Sequence, residues 1–281
     1  MNDCRIVTLY SGSGGNSTFI RVADTAILID AGKNAKRLCM ALKEIGSDIE
    51  EIRAIFITHD HADHTSALEV LSKKHNIPIH MTEQSARVFD RLGVAPIHSR
   101  LIRHTPIYSV EVGDLTVTSF ETPHDSMMSV GYRIEYFDGE EKRAVGVATD
   151  IGYVTEEIKN GLCGCEAVVL ESNHDVDMLM CGSYPDVLKK RILSNRGHLS
   201  NKDSACLSAY LAEKGTRAFL LAHLSEENNE PTLALEETER AICDAGISVA
   251  VAAPDMPVEL RIPTKEECEN DRREIYNPWN A

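Results

Sequence analysis

The apolar positions of the first thirty residues fall into three short runs. Residues 5–10, 17–22 and 26–30 read as strands, separated by Ser11-Gly12-Ser13-Gly14-Gly15-Asn16 and by Ala23-Asp24-Thr25, both rich in turn formers. They predict a β-meander. A helix over 35–45 follows, with Leu38, Ala41, Leu42 and Ile45 at helical spacing and Gly46 as its stop. Residues 52–58 are nearly all apolar, as in a strand buried on both faces. Helices are then expected over 65–74 and 83–92, and antiparallel strands over 115–122, 130–137 and 142–149. In the last part, strands at 166–171 and 217–222 alternate with helices at 185–193, 201–214 and 233–245. No proline-rich or low-complexity linker interrupts this order, so residues 1–263 are expected to form one domain and 264–281 a peripheral or loosely ordered tail. Two mixed sheets packed face to face with helices outside, an αββα sandwich, would house the elements in one unit.

Composition narrows the class. Of 281 residues 43% are hydrophobic and 26% charged, as in a soluble globular protein, and no apolar run nears the roughly 18 residues that a membrane span needs. Met1-Asn2-Asp3-Cys4-Arg5 has neither the basic flank nor the apolar stretch of a secretory signal, so a cytoplasmic protein is expected. The eight cysteines are scattered too widely for a disulfide scaffold and read as free thiols. Cys163-Gly-Cys165 lacks the gap and the second pair of a usual chelate, and reads as packing. A net charge of −15 argues against broad electrostatic coating of nucleic acid but leaves room for local attraction. Some of the acid is concentrated in 226–239 and 266–274. Lys189, Lys190, Arg191, Arg196 and Lys202 form a basic stretch against Asp186 alone, ordinarily a solvated helix face and here also a candidate phosphate contact.

The chemistry is concentrated at the end of the 52–58 strand, where His59-Asp60-His61-Ala62-Asp63-His64 places three imidazoles and two carboxylates within six residues. Imidazole nitrogen and carboxylate oxygen are natural ligands of zinc, manganese or iron. His59 and His61 can point together at one ion, and Asp63 and His64 at a neighbouring one. An accidental polar loop is the poorer reading, because so many unpaired polar side chains at the end of a core strand would be costly to bury.

This motif resembles the His-x-His-x-Asp-His signature of the metallo-β-lactamase fold, and the resemblance implies further site residues. His124, before the 130–137 strand, corresponds to the third histidine of the first metal site. Asp150, ending the 142–149 strand, corresponds to the carboxylate shared by two ions, His223 to the last histidine of the second ion, and Asp30 to the carboxylate that props the metal loop. A closer resemblance, up to about residue 260, is to the WalJ (YycJ) branch of this fold, whose members are regarded as DNA exonucleases. It rests on Ser11-Gly12-Ser13-Gly14-Gly15-Asn16-Ser17, Glu171-Ser172-Asn173-His174-Asp175, Gly197-His198-Leu199-Ser200-Asn201 and Ala222-His223-Leu224-Ser225-Glu226-Glu227-Asn228-Asn229, in that order. The third stretch is also similar to one in tRNase Z-like phosphodiesterases, which implies that His198 assists the leaving group. Ser200 and Asp203 would start a helix there, placing His198 beside N–H groups that favour a phosphate. His174 could touch substrate or simply finish a strand. The loop carrying Asn16 could present N–H groups to a phosphate or be a plain hairpin turn.

The implied activity is phosphodiester hydrolysis in nucleic acid, first of all trimming of DNA from a 5′ end. Two divalent ions, zinc before manganese or iron, would sit about 3.5–4 Å apart and share a hydroxide. Asp63 and His198 would be catalytic, and Lys189, Lys190 and Arg191 would help to seat the backbone. A thioester or lactone hydrolase would use the same ligands but has no need of His198 and its basic neighbours. A non-catalytic regulatory module is opposed by the complete ligand set. Nothing points to a membrane partner, and the oligomeric state is left open.

Overall fold

A computed structural model describes residues 4–93, 97, 99–244, 246–264 and 267. The first sheet is built from β1 (Cys4–Tyr10), β2 (Ser17–Val22), β3 (Thr25–Ile29), β4 (Ile52–Phe56), β5 (Ile79–Thr82) and β6 (Leu101–His104), with β14 (Val258–Leu260) outside β1. The second runs from β7 (Ser109–Val112) through β8 (Leu115–Thr122), β9 (Ser129–Phe137), β10 (Lys142–Ala148), β11 (Ala167–Glu171) and β12 (Ala218–Ala222) to β13 (Ser248–Val251). In each sheet the pairing is antiparallel on one side and parallel on the other, the change falling at β3 and at β10. The expected meander is β1 to β3.

Three apolar layers hold the sandwich. Between the sheets Ile6, Ile20, Ile27 and Phe56 meet Val117, Tyr132, Ile134, Val145, Val169 and Leu220. Outside the first sheet lie α1 (Ala35–Glu44), α3 (Leu68–Lys74) and α4 (Glu83–Leu92), packed through residues such as Leu38, Leu42, Leu71 and Phe89. Outside the second lie α5 (Glu156–Leu162) and α8 (Asn201–Glu213), which bury Ile158, Leu162, Leu207 and Leu211. With helices on both outer faces, β11 and β12 are buried along their whole lengths, which is why they read as unbroken apolar runs. The architecture is the expected αββα sandwich. Among the described residues no helix is long and apolar enough to cross a membrane.

Several boundaries differ from expectation for physical reasons. The helix expected over 65–74 is two pieces, α2 (Ala62–Thr65) and α3, because the amide of Ala67 is drawn off to the carbonyl of Ala31 at 2.9 Å. The strand over 52–58 exposes Arg53 and is not buried on both faces throughout. The last helix, α9 (Pro231–Ile242), starts earlier than expected, with proline in its first turn, and ends before Cys243, which turns left-handed at φ 51°. Ala245 lies outside the described residues, as does the expected tail apart from Thr264 and Glu267. Two further short helices, α6 (Val176–Cys181) and α7 (Asp186–Ile192), precede the loop of His198.

A column of rings bridges the sheets beside β6. Phe56 stacks on His80 at 4.7 Å, His80 on His104 at 5.2 Å, and His104 on Tyr108 at 3.9 Å. Nδ1 of His80 is 3.0 Å from Nε2 of His104, so one proton bridges the pair. Burial, then the neighbouring His104, push His80 down to about 4 from 6.5. Between those two values the unfolded chain holds the proton that the folded chain refuses. Stability is therefore lost as pH falls from 6.5 toward 4, by roughly 3 kcal/mol at most. His80→Phe keeps the stack and is expected to flatten this part of the pH dependence, measured by urea unfolding at pH 7 and pH 4.5. A variant with the parent's slope would place the titration elsewhere.

Candidate metal centre

The site lies where the parallel strands end, the edge at which sheets of this kind gather ligands. Five described non-glycine residues have positive φ, and three of them, Asp30 (63°), Asp150 (58°) and His223 (58°), come directly after or just beyond the ends of β3, β10 and β12. Such a conformation costs on the order of 1–3 kcal/mol and persists only where surrounding contacts enforce it. The amide of Asp30 donates to Phe56 at 2.8 Å, and that of His223 to the Ser11 hydroxyl at 2.7 Å. The loop after β3 also presses on α2. A Cβ on Gly32 would lie 1.5 Å from the carbonyl oxygen of Asp63, so only glycine lets the two segments meet.

The four buried histidines of the cluster share one arrangement. Nδ1 of His64 is 2.7 Å from Asp30, Nδ1 of His223 is 2.9 Å from Glu171, and Nδ1 of His124 is 3.1 Å from the carbonyl of Gly197. Nδ1 of His59 is 3.0 Å from the Thr58 hydroxyl, whose own proton goes to Asp30 at 2.9 Å. Each partner accepts, so each Nδ1 carries a hydrogen and each Nε2 is the nitrogen turned inward, the orientation in which outer groups hold a metal-ligating imidazole. Asp30 also accepts the Thr58 amide at 2.8 Å.

These side chains fall into two triads around one carboxylate. His59, His61 and His124 offer atoms within 4.8 Å of one another, and so do Asp63, His64 and His223. Asp150 stands between them, with Oδ2 3.2 Å from Nε2 of His64, and Oδ1 3.6 Å from Nε2 of His124 and from Nδ1 of His223. Nε2 of His59, His124 and His223 and Oδ2 of Asp150 are buried without a hydrogen-bond partner among the described residues. Such atoms are costly to bury unless something satisfies them. The cluster is also short of positive charge. Burial opposes protonation of His64 and His223, yet Asp30 and Asp150 hold His64 well above its usual range, and Asp150, Asp63 and Glu171 raise His223 to about 10. Divalent metal bound in this cluster would meet both demands, so the residues fit the group.

Glu171 belongs to the site although its place in the sequence does not assign it a role. It is fully buried, and its Oε1 accepts from Nδ1 of both His198 (2.8 Å) and His223 (2.9 Å). Its Oε2 accepts the amides of Ile151 (2.7 Å) and Leu199 (3.1 Å). Burial works to raise its pKa, but the charge and hydrogen bonds of His198 and His223 prevail and hold it near 2. A charged residue closing the otherwise apolar 167–170 run was the signal available. His198 is 20% exposed, with Nδ1 3.7 Å from Asp150, and Ser200 caps α8 by accepting the amide of Asp203 at 3.2 Å.

The other expected residues are placed unevenly. Asn16 is buried within the cluster, its amide nitrogen 3.0 Å from Nε2 of His64 and 3.3 Å from Asp63. His174 is buried beneath the start of α8, bridging to Ser200, and lines neither cleft beside the cluster. Lys189 donates to the carbonyls of Met180 and Gly182 at 2.8 Å each, which engages two of its three N–H donors. Arg191 pairs with Asp125 at 2.5 Å but lines a cleft together with His198, Ser13, Asn173 and Ser225. Lys190 is exposed on α7.

Residues 25–224 match the β-lactamase superfamily domain. The chain is 33% identical over 262 residues to exodeoxyribonuclease YycJ of Bacillus anthracis, covering 92% of this chain and 96% of that protein. It is 32% identical over 249 residues to exodeoxyribonuclease WalJ of Streptococcus pneumoniae, with 86% and 90% covered. Among solved structures, the metallo-β-lactamase fold protein YhfI of Bacillus subtilis superposes with a TM-score of 0.66 at 18% identity, over 92% of this chain and 100% of that one, a likeness of fold.

Proposed function

The chain belongs to the β-lactamase superfamily and is a metal-dependent hydrolase; from that premise we propose that it is a dinuclear-metal phosphodiesterase that shortens DNA from an end, the 5′ end first, through one domain spanning residues 1–263. The named exodeoxyribonuclease relatives support the substrate and the resemblance supports the direction. The observation that carries the reading is His198, held on the same carboxylate as a metal-facing histidine and turned to a cleft.

His59, His61 and His124 would hold one ion, Asp63, His64 and His223 the other, and Asp150 would serve both. Zinc suits this nitrogen and oxygen set, as do manganese and iron. When bound, the ions supply Lewis acidity toward the phosphoryl oxygens and lower the pKa of a water. Glu171 accepts from Nδ1 of His198, which leaves Nε2 to donate a proton to the departing sugar oxygen. The same carboxylate steadies the imidazolium before transfer. Its bond to His223 fixes the leaving-group acid and a metal ligand in one frame.

A thioester hydrolase would share the ligands but needs no acid so placed, since a thiolate leaves without one; a lactone hydrolase expels an alkoxide and is separated by its substrate alone. The test is digestion of end-labelled single- and double-stranded DNA and RNA by metal-reconstituted protein, with a thioester and a lactone alongside. DNA shortened stepwise from the 5′ label is expected. Chelation should stop cleavage and added zinc or manganese restore it, while turnover of the acyl substrates alone would refute the reading.

A further inference from the structure

Among the described residues a cleft on the His124 side of the cluster has no part in the chemistry derived above. It has a volume of about 580 Å³ and is lined by His124, Met127, Tyr153, Asn195 and Arg196. Tyr153 and Met127 are 47% and 45% exposed, an apolar rim beside a polar centre. Arg196 is exposed, and among the described residues no carboxylate pairs with it, although the chain carries a net charge of −15. The backbone segments that carry the two side chains pack against each other just beyond Asp150. The amide of Gly152 donates to the carbonyl of Pro123 at 2.8 Å, and a Cβ on Gly152 would lie 2.3 Å from the carbonyl oxygen of Asn195, so the two loops pack backbone on backbone.

We propose that this groove receives the nucleotide adjoining the scissile phosphate as a single strand, with its base stacked on Tyr153 and its outer phosphate on Arg196; the inference rests on the phosphodiesterase reading. A base presents a flat face to an aromatic ring whatever its sequence, and an unpaired guanidinium suits a phosphate. Glu121 and Glu157 also line the groove. They repel a phosphate but accept from the amino groups of bases, which confines the backbone to the Arg196 side and turns the base edges toward the acids.

The test compares metal-loaded parent, Tyr153→Ala, Tyr153→Phe and Arg196→Gln proteins on single-stranded oligodeoxynucleotides. These carry 2-aminopurine, whose fluorescence stacking quenches, at each position beside the cleavage site in turn. Tyr153→Ala should raise KM about 5- to 30-fold and lose the quench at one position, while Tyr153→Phe, which keeps the ring, retains both. Arg196→Gln should flatten the dependence of log affinity on log salt by about 0.7. Quench and KM unchanged in Tyr153→Ala, while the parent cleaves, would overturn the groove assignment alone. A parent protein that cleaves no nucleic acid would overturn the phosphodiesterase reading, and the groove assignment with it.

Discussion

His198→Ala is expected to lower turnover of an unactivated DNA linkage by about 10²–10⁴-fold, the contribution of a positioned general acid, while the protein keeps its metal. Metal retention follows from the geometry. The inward nitrogens of the two triads belong to other residues, and Glu171 keeps His223 and the amides of Ile151 and Leu199 as partners when the His198 ring is gone. A nitrophenyl phosphodiester, whose leaving group needs no proton, should suffer far less. Equal losses on both substrates with metal retained would make His198 a positioning residue for phosphate. Loss of metal would make it a ligand and reopen the places of His124 and His223.

Asp150→Asn is expected to cost metal at both triads together and to bring turnover to background. Asparagine suits this test better than alanine because it tolerates the left-handed backbone at φ 58° and keeps the side-chain volume. What it removes is the negative charge between His64, His124 and His223. Loss of an outer-shell partner typically costs about 10–100-fold in metal affinity, so loss of a carboxylate shared by two ions should exceed that range. Elemental analysis after dialysis reads the result. One ion kept at full occupancy in the variant would show that Asp150 does not serve both triads.

The parts of this site that were legible in the sequence are those carried by short contiguous segments. His59, His61, Asp63 and His64 fall within six residues after one strand, whereas His124, Asp150 and His223 are singled out by resemblance to the fold's motif and not by the strand patterns beside them. What was not legible depends on partners far apart in the chain. Glu171 gains its role from His198 and His223, 27 and 52 residues away. Arg191 is neutralised by Asp125 across 66 residues, and Lys189 is tied to two carbonyls, so a run that reads as a free basic face is partly spent on structure. Strands β5, β6 and β7 have four residues each, too few for a period to show, and are strands because neighbours pair with them. The break between α2 and α3 is likewise tertiary, made by Ala31.

The central claim is that two ions act together on a nucleic-acid phosphodiester. It is tested most directly by adding zinc or manganese stepwise to metal-free protein while following release of nucleotides from a 5′-labelled oligodeoxynucleotide. Activity is predicted to stay low through the first equivalent and to reach its plateau at two ions per chain. Full activity at one ion, or none on DNA at any loading, would contradict the account.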